Sequence, residues 1–297
     1  MYTVIEIIAV ENDKINYSAN YYANNKEIHV YHTYNIINPS AELAAIKANI
    51  QNGLYNKTSH FDDFELLENH FSSIQGVFET GDVKDILTKI PNNTFDLLCT
   101  DPPYKCISGG KGGKNAPRGM LSKNDGKIFT HNDIKISEWL PECYRILKDG
   151  SHAYIFINFL NLKELMYEAE KVGFKMHNLL VWEKNNATPN RWGMKNCEYV
   201  LLLRKGKSKP LKDCGFKTVH LFNNIIGKKV HETEKPIDLL RTYICNSTEV
   251  GDSVIDPFAG SGSTAKACIL EKRKFFTCEI DSKYFDIIHS NLTEAFS

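Results

Sequence analysis

The chain has 297 residues, of which 42% are hydrophobic and 24% are charged, and its 36 lysines and arginines balance 36 aspartates and glutamates. This length allows one α/β domain with a smaller appendage. No apolar run approaches the roughly 20 residues of a membrane span, and the N-terminus lacks the basic flank of a secretory signal. The eight cysteines include no CxxC pair, which argues against a zinc ribbon or a disulfide framework. We therefore expect a cytoplasmic protein with free thiols.

Charge is distributed unevenly along the chain. The first 76 residues carry nine acidic side chains and only four lysines. Lysine and arginine collect instead in two segments, 105–127 and 204–229, each of which contains a single aspartate. Basic patches of this kind can neutralise phosphates even on a protein without net charge. Solvated lysine-rich loops explain the same composition, and both interpretations stay open at this point.

Residues 1–76 differ in composition from the rest of the chain, because they are rich in tyrosine and asparagine. Strand-like stretches occur near Thr3–Val10 and Glu27–Tyr34, and helical pieces are predicted at Ala41–Asn49 and near Asp62–His70. We interpret this region as an N-terminal extension or small subdomain. Its sequence does not indicate a role.

From about residue 77 the chain alternates strand-like and helix-like segments. Strands are predicted at Val77–Thr80, Thr94–Thr100, Ser151–Asn158, Leu179–Glu183, Glu198–Arg204, Ser253–Asp256 and Phe275–Glu279. Helices are predicted from a cap at Asn161 to about Gly173, and also at Ser137–Leu147, Pro236–Ser247, from about Ser263 to Glu271 and from Ser282 onward. This alternation predicts an α/β fold with a mostly parallel, doubly wound sheet.

The tetrapeptide Asp101-Pro102-Pro103-Tyr104 directly follows an apolar strand. Ligands bind at the carboxyl ends of strands in open α/β sheets, so chemistry is expected at this position. The prolines fix the backbone and leave their carbonyls free to accept hydrogen bonds. An acidic side chain and a rigid carbonyl can together hold an amino group that has two N–H donors, and the tyrosine ring offers a flat surface for a base. A simple turn after a strand would explain the tetrapeptide alone equally well.

A second motif, Asp-Pro-Phe-Ala-Gly-Ser-Gly-Ser-Thr at 256–264, also joins a strand end to a helix start. Its small residues allow the backbone to approach a ligand closely, and the helix N-terminus presents free N–H groups. The motif lacks the lysine of a P-loop and the glycine spacing of a dinucleotide site. Glu279, at the end of the next strand, is placed to bind ribose hydroxyls. Together these features predict a site for a nucleoside-containing cofactor.

The order of the two motifs resembles that of the β-class amino-methyltransferases of DNA, a circularly permuted group in which the catalytic tetrapeptide precedes the glycine loop. The resemblance covers roughly residues 77–295, and it includes Gly81-Asp82, Trp182-Glu183-Lys184, Glu198 and the segment 231–236. That last segment reads His-Glu-Thr-Glu-Lys-Pro where the family has His-Pro-Thr-x-Lys-Pro. Glu232 therefore replaces the usual proline.

The resemblance implies a Rossmann-like S-adenosylmethionine-dependent methyltransferase fold for residues 77–297, with a target-recognition insert at about 188–229. It implies that the catalytic residues are Asp101, Pro102, Pro103 and Tyr104. It assigns binding of the cofactor, S-adenosylmethionine, to Asp82, His231, Thr233, Lys235, Asp256, Phe258, Gly260, Ser261, Gly262 and Glu279. Within and beside the basic segments, the candidates for DNA contacts are Lys111, Lys114, Arg118, Arg191, Lys205 and Lys207.

The implied activity is methyl transfer from S-adenosylmethionine to adenine N6 in double-stranded DNA, by base flipping and direct in-line transfer. In this family an aspartate start of the tetrapeptide usually accompanies adenine N6 and a serine start cytosine N4, so cytosine N4 is the first alternative. The sequence argues against methylation of cytosine C5, because that reaction needs a nucleophilic cysteine after a proline and the chain has none. The remaining alternatives are an RNA or protein amino-methyltransferase, which generally has the glycine loop first, and an inactive DNA-binding regulator.

The expected partner is double-stranded DNA, and the source is expected to be a bacterium or a phage. The sequence leaves open whether the protein forms a homodimer and whether a cognate restriction endonuclease accompanies it. No membrane partner and no metal site are expected.

Overall fold

The structure is a computed structural model that describes residues 2–11, 14–23, 26–35, 74–104, 134–188, 193–207, 209–224, 234–281 and 284–296. The strands are β1 (Tyr2–Glu11), β2 (Lys14–Ala23), β3 (Lys26–Asn35), β4 (Ile74–Thr80), β5 (Phe95–Thr100), β6 (Leu147–Ile157), β7 (Lys175–Thr188), β8 (Lys195–Arg204), β9 (Val219–Leu221), β10 (Ser253–Asp256) and β11 (Lys274–Glu279). The described helices are α1 (Val83–Leu87), α2 (Ile136–Ile146), α3 (Phe159–Val172), α4 (Ile237–Ser247), α5 (Ser263–Leu270) and α6 (Phe285–Phe296).

The strands form one sheet in the order β1-β2-β3-β4-β11-β10-β5-β6-β8-β7-β9. Its centre consists of five parallel strands, from β4 to β6 in that order. Ile255 of β10 pairs with Leu98 of β5 on one side and with Phe276 of β11 on the other. The carboxyl ends of β4, β11, β10 and β5 therefore meet at the same edge of the sheet.

Helices cover both faces of this sheet, as the alternating sequence pattern predicted. On one face, α1, α2 and α3 contribute Ile86, Trp139 and Leu165 to a buried core. On the other, α4, α5 and α6 contribute Leu239, Ala265 and Ile288. Leu98 of β5 faces the first core and Leu97 the second, because successive strand side chains point to opposite faces. None of the helices in the described ranges is both long and apolar enough to cross a membrane.

The strands and helices predicted from residue 77 onward are confirmed, with ends shifted by several residues. The predicted cap of α3 is wrong: Oδ1 of Asn158 accepts a hydrogen bond from the backbone N–H of Asn161 at 3.0 Å, so Asn158 is the cap. Gly173 ends this helix in the left-handed conformation, with φ 107°, as predicted. Pro236 caps α4 rather than being its first residue.

The N-terminal region extends the main sheet. Strands β1, β2 and β3 form an antiparallel meander, and β3 pairs with β4 at the edge of the parallel centre. The two predicted strands are confirmed as β1 and β3, whereas β2 was missed because its serine, asparagine and alanine residues have weak strand propensity. The two helical pieces predicted within 41–70 lie outside the described residues.

Strand β8 lies inside the sheet, between β6 and β7, and its residues Val200–Leu203 are buried. The predicted target-recognition insert, about 188–229, therefore includes the predicted strand Glu198–Arg204, which lies in the core of the sheet. Only the segments on either side of β8 stay candidates for target recognition.

We expect Leu98→Ala to lower the free energy of unfolding by about 2–5 kcal/mol, because it removes buried methyl groups from the central strand and leaves a cavity. Leu98 is 0% exposed. The matched control is Leu221→Ala, in which the side chain is 75% exposed and a loss within about 0.5 kcal/mol is expected. Urea unfolding of both variants measures the difference, and equal losses would contradict the assigned core.

Candidate active site

Four acidic residues follow or end the strands whose carboxyl ends meet at one edge of the sheet. Asp101 follows β5, Asp256 ends β10, Glu279 ends β11, and Asp82 lies two residues after β4. Edges of this type hold the ligands of open α/β sheets. The structure thus brings the tetrapeptide, the glycine loop and the predicted ribose-binding acid to one place.

Asp256 joins the two motifs through hydrogen bonds. Its Oδ1 accepts from Thr100 Oγ1 at 2.7 Å and from the backbone N–H of Phe258 at 3.1 Å. The side chain of Thr264 is a further hydrogen-bonding partner of the carboxyl group. Burial raises the pKa of Asp256 to about 7, although these hydrogen bonds oppose the increase. Asp256 therefore ties the start of the glycine loop to the end of β5.

The glycine loop bends tightly between β10 and α5. Gly260 and Gly262 have φ values of 54° and 80°, a region that residues with a Cβ rarely adopt. A Cβ on Gly262 would also lie 3.2 Å from Cγ2 of Ile288. Asn291 of α6 supports the loop from below by donating to the backbone carbonyl of Ser261 at 2.9 Å. The loop backbone is held close to α6 on one side and faces the ligand edge on the other.

Glu279 is held by backbone donors on both of its carboxylate oxygens. Oε2 accepts from the N–H of Gly260 at 3.0 Å, and Oε1 accepts from the N–H groups of Ile280 at 2.9 Å and Asp281 at 3.1 Å. Burial raises the pKa of Glu279, while these donors oppose the shift. A fixed carboxylate beside a glycine loop can accept hydrogen bonds from the hydroxyl pair of a nucleoside.

Two further predicted cofactor residues border this edge. Asp82 caps α1, where its Oδ1 accepts from the backbone N–H of Lys84 at 2.9 Å. Phe258 lies in the glycine loop, and its ring meets that of the fully buried Trp139 edge-on, with centroids 5.2 Å apart. Trp139 therefore fixes the position of Phe258, a supporting role that its place in the sequence did not reveal.

The tetrapeptide presents one carboxylate oxygen that is buried and without a hydrogen-bond partner among the described residues. This atom is Oδ1 of Asp101, while Oδ2 accepts a hydrogen bond from the ammonium group of Lys235. Pro102 is buried, and the partly buried Tyr104 packs against the core on the α1–α3 face. Asp101 thus has one oxygen paired with a lysine and one buried oxygen whose hydrogen-bonding capacity the described residues do not satisfy.

Lys235, which the family resemblance assigns to the cofactor, also contacts two acidic side chains. Its ammonium group pairs with Asp101 and lies 3.5 Å from Oε2 of Glu198. Glu198 in turn pairs with Lys184, whose Nζ lies 4.6 Å from the centroid of the Trp182 ring. The sequence placed Glu198 and Lys184 within the family resemblance without giving them a role. The structure joins both to Asp101 of the tetrapeptide through Lys235.

The charges of this cluster control one another. Burial raises the pKa of Asp101, and the attraction of Lys235 opposes that increase. Burial lowers the pKa of Lys235, but Asp101 and Glu198 more than offset it, so the lysine pKa is raised. Burial raises the pKa of Glu198, and the two lysines, Lys235 and Lys184, reverse that effect to leave it lowered. Lys235 is consequently a buried cation shared between two carboxylates.

Several predicted site residues lie outside the described part of the chain. Among the cofactor predictions these are His231 and Thr233. Among the DNA contacts they are Lys111, Lys114, Arg118 and Arg191. The structure describes only Lys205 and Lys207 of the predicted DNA contacts.

Lys205 lies at the opposite edge of the sheet from Asp101. It follows β8, which runs antiparallel to β6, so it is near the amino end of the parallel strands. Its ammonium group donates to the backbone carbonyls of Tyr144 and Leu147 at 2.8 and 2.6 Å and to Oδ1 of Asn93 at 3.1 Å. These bonds satisfy carbonyls at the end of α2. This placement argues against a DNA contact and assigns Lys205 a structural role.

The parallel sheet, the glycine loop at its carboxyl edge and the acidic tetrapeptide beside that loop define a Rossmann-like methyltransferase domain with permuted motif order. A family model for N6/N4 methyltransferases, described as DNA methylase, matches residues 95–290, which include both motifs. The chain belongs to this family. The predicted family and fold class are confirmed.

Individual relatives agree with this assignment. The chain is 28% identical over 249 residues to the type II methyltransferase M.HinfI of Haemophilus influenzae, covering 72% of this chain and 67% of the relative. It is 26% identical over 256 residues to the type II methyltransferase M2.MboI of Moraxella bovis, covering 75% and 88%. The crystal structure of the M1.HpyAVI–SAM complex is similar with a TM-score of 0.53 at 25% identity, covering 71% of this chain and 94% of that one.

We expect Asp256→Asn to change how stability depends on pH. The pKa of Asp256 is about 7 in the folded protein, against 3.8 for an ordinary aspartate. The folded state therefore keeps a proton that the unfolded state releases between these values, so this contribution to stability is present at low pH and is lost as pH rises towards 7. Asp256→Asn has no titrating carboxyl group at this position, so it lacks this decrease in stability with rising pH. The free energy of unfolding in urea is measured for both proteins at about pH 5 and about pH 8. If the difference between wild type and variant is the same at both pH values, the raised pKa of Asp256 is contradicted.

We expect Lys205→Met to destabilise the fold by about 1–3 kcal/mol without changing DNA affinity, because it removes hydrogen bonds that end α2. The comparison variant is Lys207→Met: Lys207 is exposed two residues away, so its loss should leave stability unchanged, and as a proposed phosphate contact it should weaken the salt dependence of DNA binding. Thermal unfolding and the salt dependence of DNA binding are measured for both. A weaker salt dependence in Lys205→Met would instead show that this lysine contacts phosphate.

Proposed function

We propose that the protein is a site-specific DNA methyltransferase that transfers a methyl group from S-adenosylmethionine to N6 of adenine in double-stranded DNA. The observation that carries this proposal is the buried Oδ1 of Asp101, which has no hydrogen-bond partner within the described ranges and lies at the same sheet edge as the glycine loop. Membership of the DNA methylase family supports both the cofactor and the DNA substrate.

The cofactor site is proposed at the glycine loop and the adjacent strand ends. The left-handed glycines leave the loop backbone open to a ligand, and the fixed carboxylate of Glu279 suits ribose hydroxyls. The proposed residues are Asp82, His231, Thr233, Asp256, Phe258, Gly260, Ser261, Gly262 and Glu279. S-adenosylmethionine supplies an electrophilic methyl group on sulfonium when it is bound there.

The tetrapeptide would hold the amino group that receives the methyl. The lone pair of an adenine amino nitrogen is delocalised into the ring, which makes the nitrogen a poor nucleophile. Asp101 Oδ1 and the backbone carbonyl of Pro102 would each accept one N–H, and these bonds strengthen as positive charge develops on the nitrogen. The methylated amine is strongly acidic and loses its proton without a histidine base.

The target base must leave the double helix to reach this edge, which costs a few kcal/mol. Stacking on Tyr104 would offset this cost by about 1–3 kcal/mol, and the two hydrogen bonds of the tetrapeptide add to it. Pro103 keeps the tyrosine at a fixed distance from the clamp. Phosphate contacts are proposed from Lys111, Lys114, Arg118 and Lys207, in the two basic segments, and from Arg191.

The proposed activity has consequences for partners and location. Its DNA substrate would place the protein in the cytoplasm of a bacterial cell, whether a bacterium or a phage encodes it. The type II designation of the relatives suggests a cognate restriction endonuclease as a functional partner. The family resemblance suggests a homodimer, which sedimentation of the purified protein would detect.

The test is transfer of labelled methyl from S-adenosylmethionine to unmethylated double-stranded DNA, followed by nucleoside analysis. We expect N6-methyladenine from the wild type and a rate lower by on the order of 10²–10³-fold in Asp101→Ala, because one side of the clamp is lost. The matched control is Asp286→Ala, in which an exposed aspartate of α6 is removed and the rate should be unchanged.

Each other product of this assay has a definite meaning. N4-methylcytosine would overturn the choice of base and keep the DNA substrate. Cofactor binding without any modified base would overturn the DNA substrate and favour RNA or protein.

A further inference from the structure

Four charged side chains of alternating sign form a continuous line that ends at the catalytic tetrapeptide. In order they are Lys184, Glu198, Lys235 and Asp101, and we call them the charge line. Their side chains are 18%, 25%, 6% and 19% exposed, so all four lie largely out of water. Two positive and two negative charges leave the line neutral. Removing any member would leave an uncompensated charge in a poorly solvated place.

Lys235 is the centre of this line. Its ammonium group pairs with Oδ2 of Asp101 and lies 3.5 Å from Oε2 of Glu198. The same nitrogen lies 5.1 Å from the centroid of the Phe156 ring, which adds an attraction between the cation and the ring face. The lysine head is therefore confined between two carboxylates and an aromatic ring.

We propose that Lys235 and Glu198 are positioning residues for methyl transfer, in which Lys235 occupies Oδ2 of Asp101 and thereby presents Oδ1 to the target amino group. This inference rests on the proposed function. Without the contact to Lys235, the Asp101 carboxylate could rotate and present either oxygen to the amino group. With Oδ2 held by Lys235, Oδ1 is the oxygen presented to the target amino group. The carboxylate is therefore oriented before the substrate binds.

Lys235 also preserves the charge on Asp101. A buried carboxyl group without a cation would tend to take up a proton, and a neutral acid stabilises a developing positive charge less well. Glu198 acts in the opposite direction, because it shares the ammonium group and weakens its attraction for Asp101. Lys184 holds Glu198 in place from the other end of the line.

Removing Lys235 and removing the charge of Glu198 should shift the pKa of Asp101 in opposite directions. Among the described residues, the charged groups near Asp101 are Lys235, before α4, Glu198 of β8, Lys184 of β7 and Asp256 of β10. Without Lys235, the pKa of Asp101 rises, since the two remaining acids disfavour its charge. Without the charge of Glu198, the pKa falls, because Lys235 then attracts Asp101 alone.

The experiment compares Lys235→Met and Glu198→Gln with the wild type, and uses Lys148→Met as a matched control. Lys148 also pairs with an aspartate, Asp96 at 2.8 Å, but at the start of β5 rather than at its carboxyl end. Single-turnover methylation of DNA is measured across pH, and the dissociation constant of S-adenosylmethionine is measured separately for every protein. Cofactor binding also reports that each variant is folded.

We expect Lys235→Met to slow methylation at neutral pH by on the order of 10²-fold and to move the ascending limb of the rate–pH profile to higher pH. Glu198→Gln should move that limb to lower pH. Cofactor affinity should change little in either variant, and the control should match the wild type throughout. Opposite displacements are a result that general loss of structure would not produce.

Other outcomes would overturn the inference. If Lys235→Met weakens cofactor binding and leaves the pH profile unchanged, Lys235 binds the cofactor as the family resemblance implied. If Lys235→Met does not fold, Glu198→Gln decides alone, and an unshifted limb rejects the positioning role. A wild type that does not methylate DNA would overturn the proposed function and this inference together, whereas an active wild type with unshifted variants overturns only the inference.

Discussion

The parallel pairing of β5 with β10 is the constraint on which the candidate site depends. These strands are far apart in the sequence, yet Leu98 and Ile255 are neighbours in the centre of the sheet. Because both strands run in the same direction, the tetrapeptide and the glycine loop emerge at one edge. The hydrogen bond from Thr100 to Asp256 then links the last residue of one strand to the last residue of the other. The positions of the tetrapeptide and of the glycine loop both depend on this pair of strands.

Two aspartates at this edge, Asp256 and Asp101, have different kinds of partners. Asp256 receives hydrogen bonds from Thr100 and Phe258, and burial still raises its pKa to about 7. Asp101 has a lysine ammonium on one oxygen, which opposes the effect of burial. Neutral donors suit a residue that holds a loop in place, whereas a cation suits one that must stay charged. The difference follows from which side chains reach each carboxylate, since both aspartates lie at the carboxyl ends of neighbouring parallel strands.

Three lysines show the limit of interpretation from motifs. Lys235 was assigned to the cofactor and lies on Asp101, which is 134 residues away in the sequence. Lys205 was assigned to DNA and lies on the carbonyls at the end of α2. Lys184 had no role and pairs with Glu198. A lysine reaches far along its flexible side chain, so its partner depends on which elements pack within that reach, and local sequence does not record this.

The sequence by itself determined the alternation of strands and helices, the two motifs at strand ends, their permuted order and the family. These features are local, because apolar periodicity, proline and glycine act on the backbone within a few residues. Only the tertiary structure decided that β2 joins the sheet, that β8 lies between β6 and β7, and that Oδ1 of Asp101 has no hydrogen-bond partner among the described residues. These features depend on contacts between distant segments, whose free energies are set by burial and charge pairing in the folded chain.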